Sequence, residues 1–315
     1  MILLWGLESD GPLAAVRAEL ERRRVDMFFI DQRRVLDTEI ELTVGHGEDG
    51  VGRVGGFIAL GTERVEFGDA RALYMRPHDT RRLPAVRAHA PGSPAWQRAL
   101  EVDDMLGTWC ELTPALVVSR PSAMASNSSK PYQTERIRSA GLEVPRSLIT
   151  TEPEAVLDFE REHGALIYKS ISSVRSIVSK LGPEQRDRLA RVRWCPTQFQ
   201  EHVPGRDWRA HVVGERVLAC RIDSSCDDYR YPRRQGGRTT LHGDQLPPEI
   251  EAACVRVSKA LELPVAGVDL RQTPDGRWVC FEVNPSPGFS WYQESTDLPI
   301  AEAICDLLEA GAGPA

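Results

Sequence analysis

The chain has 315 residues, 41% of them apolar and 27% charged, and its 39 basic and 46 acidic residues leave a net charge of -7. That is the balance of an ordinary globular protein, long enough for about two domains, with no overall electrostatic reason to bind nucleic acid or an anionic membrane. Seven dispersed cysteines with no C-x-x-C pair argue against a zinc or redox dithiol site. They read as reduced thiols of a cytoplasmic protein, and the chain shows neither a basic leader nor an apolar run of the ~18 residues that span a bilayer.

The opening run "ILLWGL", the helically spaced "GPLAAVRAELERRRVD" and the run "MFFI" predict a β-α-β start. Residues 40 to 77 alternate short strands with turn signals and end in "ALYMRP". "AWQRALEVDDMLGTWCEL" then predicts a helix feeding the strand "ALVVSRP". Turn formers in "SRPSAMASNSSKP" place a boundary near residue 120. Beyond it come helix "PYQTERIRSAG", strand "SLIT", helix "EPEAVLDFEREHG", strand "ALIYKSI", the Ser-rich "SISSVRS", helix "GPEQRDRLARV" and strand "TQFQEHV". "DWRAHVVGERVLACRID" reads as a hairpin turning at Gly214 and Glu215. A helix over 247–261 leads to a second hairpin, "VAGVDLRQTPDGRWVCFEVN", and a last helix lies near 298–310.

The second hairpin carries the chemistry. Val268, Asp269, Leu270 and Phe281, Glu282, Val283 each set a carboxylate between apolar residues, so Asp269 and Glu282 are expected to point away from the core, with Asn284 on the same face. A two-residue turn at Asp275-Gly276 would put Asp269 opposite Glu282, whereas a three-residue turn including Pro274 would slip the register by one; turn chemistry leaves the pairing open. Facing carboxylates repel unless a cation joins them. Oxygen donors suit magnesium or manganese rather than zinc, and pairing by Arg271 or another basic side chain is the alternative. Lys169 at the end of "ALIYK" requires an anion if it points inward. Arg209 and Arg221, on the two arms of the first hairpin, with Arg230 after them, resemble a clamp for phosphate oxygens.

Four ordered segments carry a family resemblance. "NSSKPYQTERIRSAGLEVPRSLIT", "ALIYKS", "TQFQEHVPGRDWRAHVVGERVLACRI" and "AGVDLRQTPDGRWVCFEVNPSPGFS" are similar to the ATP-grasp superfamily, in the group that holds ribosomal S6 modification ligases, glutathione synthetases and the graspetide ligases that cross-link peptides. The resemblance implies an α/β (α+β) fold in which an N-terminal Rossmann-like lobe, 1–120, precedes two ATP-grasp lobes, 121–196 and 197–315. It implies a ligase using ATP and Mg2+, with Mn2+ as a substitute, that joins a carboxylate to an amine or hydroxyl through an acyl phosphate, a peptide being one option for the substrate. Lys130 and Lys169 would contact ATP, the hinge Gln200, Glu201, His202 and Val203 would meet adenine through its backbone, and Asp207 would reach the ribose. Asp269, Glu282 and Asn284 would hold the metal, and Arg209, Arg221 and Arg230 would steady the phosphoryl group or the substrate carboxylate. A small-molecule kinase and a nucleotide-binding regulator without turnover are the alternatives.

One departure from the family pattern is the segment after Lys169, where a glycine-rich phosphate loop is expected and "SISSVRS" stands instead; Arg175 there is carried as a phosphate contact. Gly50, Gly52 and Gly55 satisfy G-x-G-x-x-G but lack the strand before and the helix after, so they are discounted. Cys226 beside Asp227 and Asp228 is discounted as a nucleophile, because adjacent acids raise a thiol pKa. No general base is legible, Arg76 in "YMRP" is a weak substrate contact, and a homodimer is expected on base rates alone.

Overall fold

A computed structural model describes residues 1–46, 52–170, 179–224 and 238–311. Its first strand, β1 (Ile2–Gly6), is buried along its whole length, as a central parallel strand covered on both faces must be. The helix Gly11–Arg23 follows, its first turn capped by Asp10, whose carboxylate accepts from the Leu13 amide at 3.0 Å. It returns the chain to β2 (Met27–Asp31), parallel to β1. β3 (Thr38–His46), β4 (Gly52–Leu60) and β5 (Glu63–Glu66) form a separate antiparallel sheet. β6 (Ala72–Arg76) then pairs with the other side of β1, and the helix Pro94–Leu112 leads to β7 (Leu116–Val118), completing a parallel sheet of order β2-β1-β6-β7. Gly52 and Gly55 lie inside β4, antiparallel to β3, so no strand-turn-helix phosphate motif forms there; Gly50 is outside the described residues.

The next sheet is small. β8 (Ser147–Thr150), β9 (Leu166–Ser170), β10 (Ser179–Lys180) and β11 (Thr197–Glu201) assemble in the order β10-β9-β11-β8. Leu166 and Phe199 on one face pack with Val156 of the helix Pro153–His163. The alternation of the strands leaves Ile167, Lys169, Gln198 and Gln200 on the other face. The helix expected over "GPEQRDRLARV" is instead a short helix, Pro183–Arg186, and a 3-10 helix, Leu189–Trp194, because the apolar residues available to anchor it, Leu189 and Val192, are three apart and Pro196 follows.

The last sheet is antiparallel. Its strands are β12 (Arg206–Val213), β13 (Arg216–Ser224), β14 (Thr239–Asp244), β15 (Val265–Gln272) and β16 (Trp278–Asn284), in the order β14-β13-β12-β15-β16. Gly214 and Glu215 make the expected two-residue turn between β12 and β13, with Gly214 at φ +58. One face of this sheet, bearing Ala210, Val212, Val268, Leu270, Cys280 and Val283, packs on the helices Pro248–Ala260 and Lys130–Ser139. The opposite face is split. Its far half, Val213, Cys220, Ile222 and Val265, joins Leu4, Leu13, Tyr74 and the helix Ile300–Ala310 in one core, so the first and last segments of the chain are packed together. Its near half is open, and the polar side chains collect there.

Six cysteines are free thiols, five of them buried, while Cys226 lies outside the described residues. No helix among the described residues is long and apolar enough to cross a membrane.

Candidate active site

The hairpin β15-β16 resolves the register question by using both answers. Gly276, at φ +87, donates its amide to the Thr273 carbonyl, and the Thr273 amide bonds the Arg277 carbonyl, so the turn has three residues, Pro274 to Gly276. Accordingly Gln272, Arg271 and Leu270 pair with Trp278, Val279 and Cys280, slipped by one. A β-bulge then inserts Phe281 and restores the register, so that Asp269 stands opposite Glu282 and Gly267 opposite Asn284. Glu282 points away from the core as expected, but for a different reason: its core-facing neighbours are Cys280 and Val283, and Phe281 shares the open face, lining the cleft with its ring 5.1 Å from the Arg271 guanidinium.

Two cavities meet at this pair of carboxylates. The larger, ≈ 910 Å³, lies between β9, β11 and the open face of the last sheet and is bounded by Lys169, Gln200, His202, Val203, Asp207 and Asp269, with Glu282 at its inner end. The smaller, ≈ 230 Å³, is bounded by Arg209, Asn284, Trp291 and Tyr292 and shares Asp269 and Glu282 with the first. Both carboxylates meet cations. Arg209 Nη1 donates to Asp269 Oδ1 at 2.6 Å, and Lys130 Nζ, at the start of its helix, donates to Glu282 Oε1 at 2.7 Å and to Asn127 Oδ1 at 2.9 Å. Arg271, the partner suggested by sequence proximity, instead holds Asp207 at 2.7 Å and the Val203 carbonyl at 2.8 Å. Burial raises the pKa of Glu282, but the charges of Lys130, Lys169 and Arg209 outweigh it and leave the carboxyl below its ordinary value. The donors Asp269, Glu282 and the Asn284 amide oxygen, which also accepts from the Ser286 amide at 3.1 Å, form an oxygen set of the kind that fits a hard divalent cation.

The other expected residues fall into place unevenly. Lys169 is 8% exposed and lines the cleft, across from Gln198. In the hinge, the amides of Glu201 and His202 are spent on the carbonyls of Arg146 and Ala165, and the Glu201 carboxylate accepts from the Arg146 amide. The Val203 amide has no partner among the described residues. The Gln198 and Gln200 Oε1 atoms are buried and equally unpartnered among them. Arg221 does not join Arg209. Strand register sets Arg209 opposite Cys220 and Arg221 opposite Trp208, so the two arginines project from opposite faces of the sheet, and Arg221 pairs with Asp244 at 3.1 Å. Arg175 and Arg230 lie outside the described residues. Arg76 is half-buried and its guanidinium is engaged within the chain: it donates to Asp10 Oδ1 at 2.6 Å, Ser286 Oγ at 2.8 Å and the Pro287 carbonyl at 3.1 Å, tying the parallel sheet to the segment after β16.

Residues that sequence reasoning passed over are Phe281, Lys180, Trp291 and Tyr292. Trp291 is 40% exposed beside the smaller cavity, and Tyr292 stacks edge-on with His211, centroids 4.9 Å apart. His211 is fully buried, and burial first, then the Arg209 charge, pushes its pKa well below the ordinary value, so it is neutral; it lines neither cavity. The aromatic pair follows directly on "NPSPGFS", so its position after the metal-type hairpin was the available signal.

Comparison with known proteins agrees with this architecture. A probable alpha-L-glutamate ligase of Saccharophagus degradans is 25% identical over 222 residues, covering 67% of this chain and 70% of the relative. A solved structure of the ATP-grasp ligase PsnB, complexed with a phosphomimetic variant of minimal precursor, Mg and ADP, superposes with TM-score 0.73 at 26% identity, covering 98% of this chain and 97% of that one. The macrocyclase MdnC from Microcystis aeruginosa MRC, bound with precursor peptide MdnA, shares the fold at TM-score 0.78 and 23% identity, covering 98% of this chain and 99% of its own. The RimK-like ATP-grasp domain matches residues 140–308, more than half of the chain and the whole of the stretch that builds both cavities from β8 onward, and on that match the chain belongs to the RimK-like ATP-grasp family.

Proposed function

We propose that the chain is an ATP- and magnesium-dependent ligase that activates a carboxylate as an acyl phosphate and passes it to an amine or hydroxyl, with a peptide as substrate. The observation that carries this reading is the placement of Asp269 opposite Glu282 on the common wall of two cavities, one lined by Lys169 and the hinge, the other by Arg209. The similarity to probable alpha-L-glutamate ligases and to PsnB, crystallised with a precursor, Mg and ADP, supports it.

In this reading the larger cleft takes the nucleotide. The Val203 amide and the buried side-chain Oε1 of Gln200 offer a donor and an acceptor to the base, and Asp207, held by Arg271, faces the ribose. Lys169 meets the phosphates. Asp269, Glu282 and Asn284 would hold magnesium, which neutralises the phosphate charge that otherwise repels an incoming carboxylate. Arg209, seated between Asp269 and the smaller cavity, orients the substrate carboxylate toward the γ-phosphate, and Lys130 keeps Glu282 ionised. Trp291 and Tyr292 wall that cavity against water, which would hydrolyse the acyl phosphate. The lobes 1–120, 121–196 and 197–315 remain our division of the chain, with ATP between the second and third.

Calorimetric titration of ATP with and without magnesium, on wild type and on Glu282→Gln with Asn284→Ala, tests the site. Magnesium-dependent binding that disappears in the double variant is expected, as is a hydroxamate when hydroxylamine is added with ATP and a carboxylate-bearing peptide. Binding indifferent to magnesium in both proteins, or a stable phosphorylated product that hydroxylamine does not trap, would overturn the ligase reading.

A further inference from the structure

The 3-10 helix Leu189–Trp194 lines neither cavity. Three residues per turn stack side chains in rows three apart. One row, Leu189 and Val192, is buried in the core of the β8–β11 sheet. The next row is Arg188, Arg191 and Trp194, all exposed, with Trp194 90% exposed, and Arg193 is exposed beside it. Among the described residues, none of the three guanidinium groups has an acidic partner, although the chain as a whole carries a net charge of -7. Arg186, by contrast, is paired with Glu160.

We propose that this row docks an extended acidic segment of the peptide substrate, with carboxylates on Arg188 and Arg191 and an aromatic side chain on Trp194. The inference rests on the peptide reading above. A rise of about 2 Å per residue sets successive members of the row about 6 Å apart. Same-face side chains of an extended chain repeat every ~6.7 Å, so an acid-x-acid-x-aromatic pattern matches the row in register. Each guanidinium fork accepts a carboxylate through two parallel N–H donors, and the exposed indole supplies the apolar area that charges alone lack. A nucleic acid would also meet arginines and an aromatic ring, but the net negative charge of the chain opposes the long-range attraction that such binding depends on. The row ends three residues before β11, the strand that carries Gln198 and Gln200 beside Lys169, so a segment held here is tethered to the sheet that walls the cleft.

Fluorescence anisotropy of the full chain with a fluorescein-labelled peptide of Glu-Gly-Glu-Gly-Phe repeats tests the proposal. Its Lys-for-Glu counterpart and a labelled single-stranded oligonucleotide serve as controls. Wild type is expected to prefer the acidic peptide, Arg188→Glu with Arg191→Glu to weaken it at least about tenfold, and Trp194→Ala to weaken it about threefold. Magnesium-dependent nucleotide binding should stay within about twofold of wild type in every variant, because none of these residues touches the cleft. Equal binding of acidic and basic peptides, or an affinity unmoved by charge reversal, overturns the proposal. So does tighter binding of the oligonucleotide that the same reversal abolishes. Because peptide docking and nucleotide binding are read separately, failure of this row and failure of the ligase reading give different results.

Discussion

Glu282 and its partner Lys130 are 152 residues apart in the chain, yet their 2.7 Å contact is what allows a carboxylate to sit ionised in a largely enclosed place. Arg209 and Asp269 make the second such pair, at 2.6 Å, and the guanidinium fills the space left by a missing side chain at Gly267. A methyl group at position 267 would overlap the Arg209 guanidinium, the movable end of a long side chain, so the fold can yield there while the ion pair cannot. We therefore expect Gly267→Ala to lower kcat/KM roughly 10- to 100-fold while shifting the melting temperature by only a few degrees, a split read by pairing steady-state kinetics with thermal unfolding. Asp103 shows the opposite balance. Burial pushes its carboxyl up to about 6, against the ordinary 3.8, with a hydrogen bond from Thr80 only partly offsetting it. A raised folded pKa favours the protonated form, so stability is fully present below the unfolded value and is lost as pH rises through about 6. Asp103→Asn should accordingly gain up to about 3 kcal/mol near pH 8 and nothing below about pH 4, measured by urea denaturation at both.

Among the elements, the hairpin β15-β16 was the most legible in sequence and also the most instructive. Alternation predicted Asp269, Glu282 and Asn284 on one face, because side chains repeat with period two and the flanking residues are apolar, although Phe281, one of those flanking residues, lines the same face as Glu282. It could not choose between the two-residue turn and the three-residue turn that slips the strands, since Pro274-Asp275-Gly276 suits both, nor foresee that a bulge at Phe281 slips them back. The hairpin β12-β13 failed in a related way. Its arms and its turn at Gly214 were readable, but proximity on two arms is not a shared face: with Val213 paired to Arg216, Arg209 and Arg221 fall on opposite sides. Between Pro183 and Trp194 the helical pattern broke because two anchors three residues apart favour the tighter 3-10 turn, and that turn is what aligns Arg188, Arg191 and Trp194.

At the scale of the molecule, the parallel sheet and the last sheet are bound together. Leu4, Leu13 and Tyr74 share a core with Val213, Val265, Ile304 and Leu308, and Arg23 of the first helix pairs with Asp306 and Glu309 of the last, each at 2.7 Å. Arg76 makes this union matter for chemistry. It ends β6, bonds Asp10 at the start of the first helix, and grips Ser286 and Pro287 just past Asn284, whose amide oxygen accepts from the Ser286 amide. A lysine keeps the charge but not the fork, so Arg76→Lys should raise the magnesium concentration needed for half-maximal turnover by about tenfold, with ATP binding at saturating magnesium little changed. An unchanged magnesium response would show that Arg76 only stitches the sheets together.

By itself, the sequence determined the alternation that turns Asp269, Glu282 and Asn284 to one face, the β-α-β opening and the order of most elements, which are properties of local periodicity and spacing, while the four ordered segments carried the ATP-grasp likeness as a family resemblance. The tertiary structure decided which cation meets which carboxylate, which of two hairpin arginines reaches the site, and that the chain's two ends share one core. Those outcomes depend on strand register and on contacts across more than a hundred residues, where a shift of one position turns a side chain to the opposite face and no local pattern records the choice.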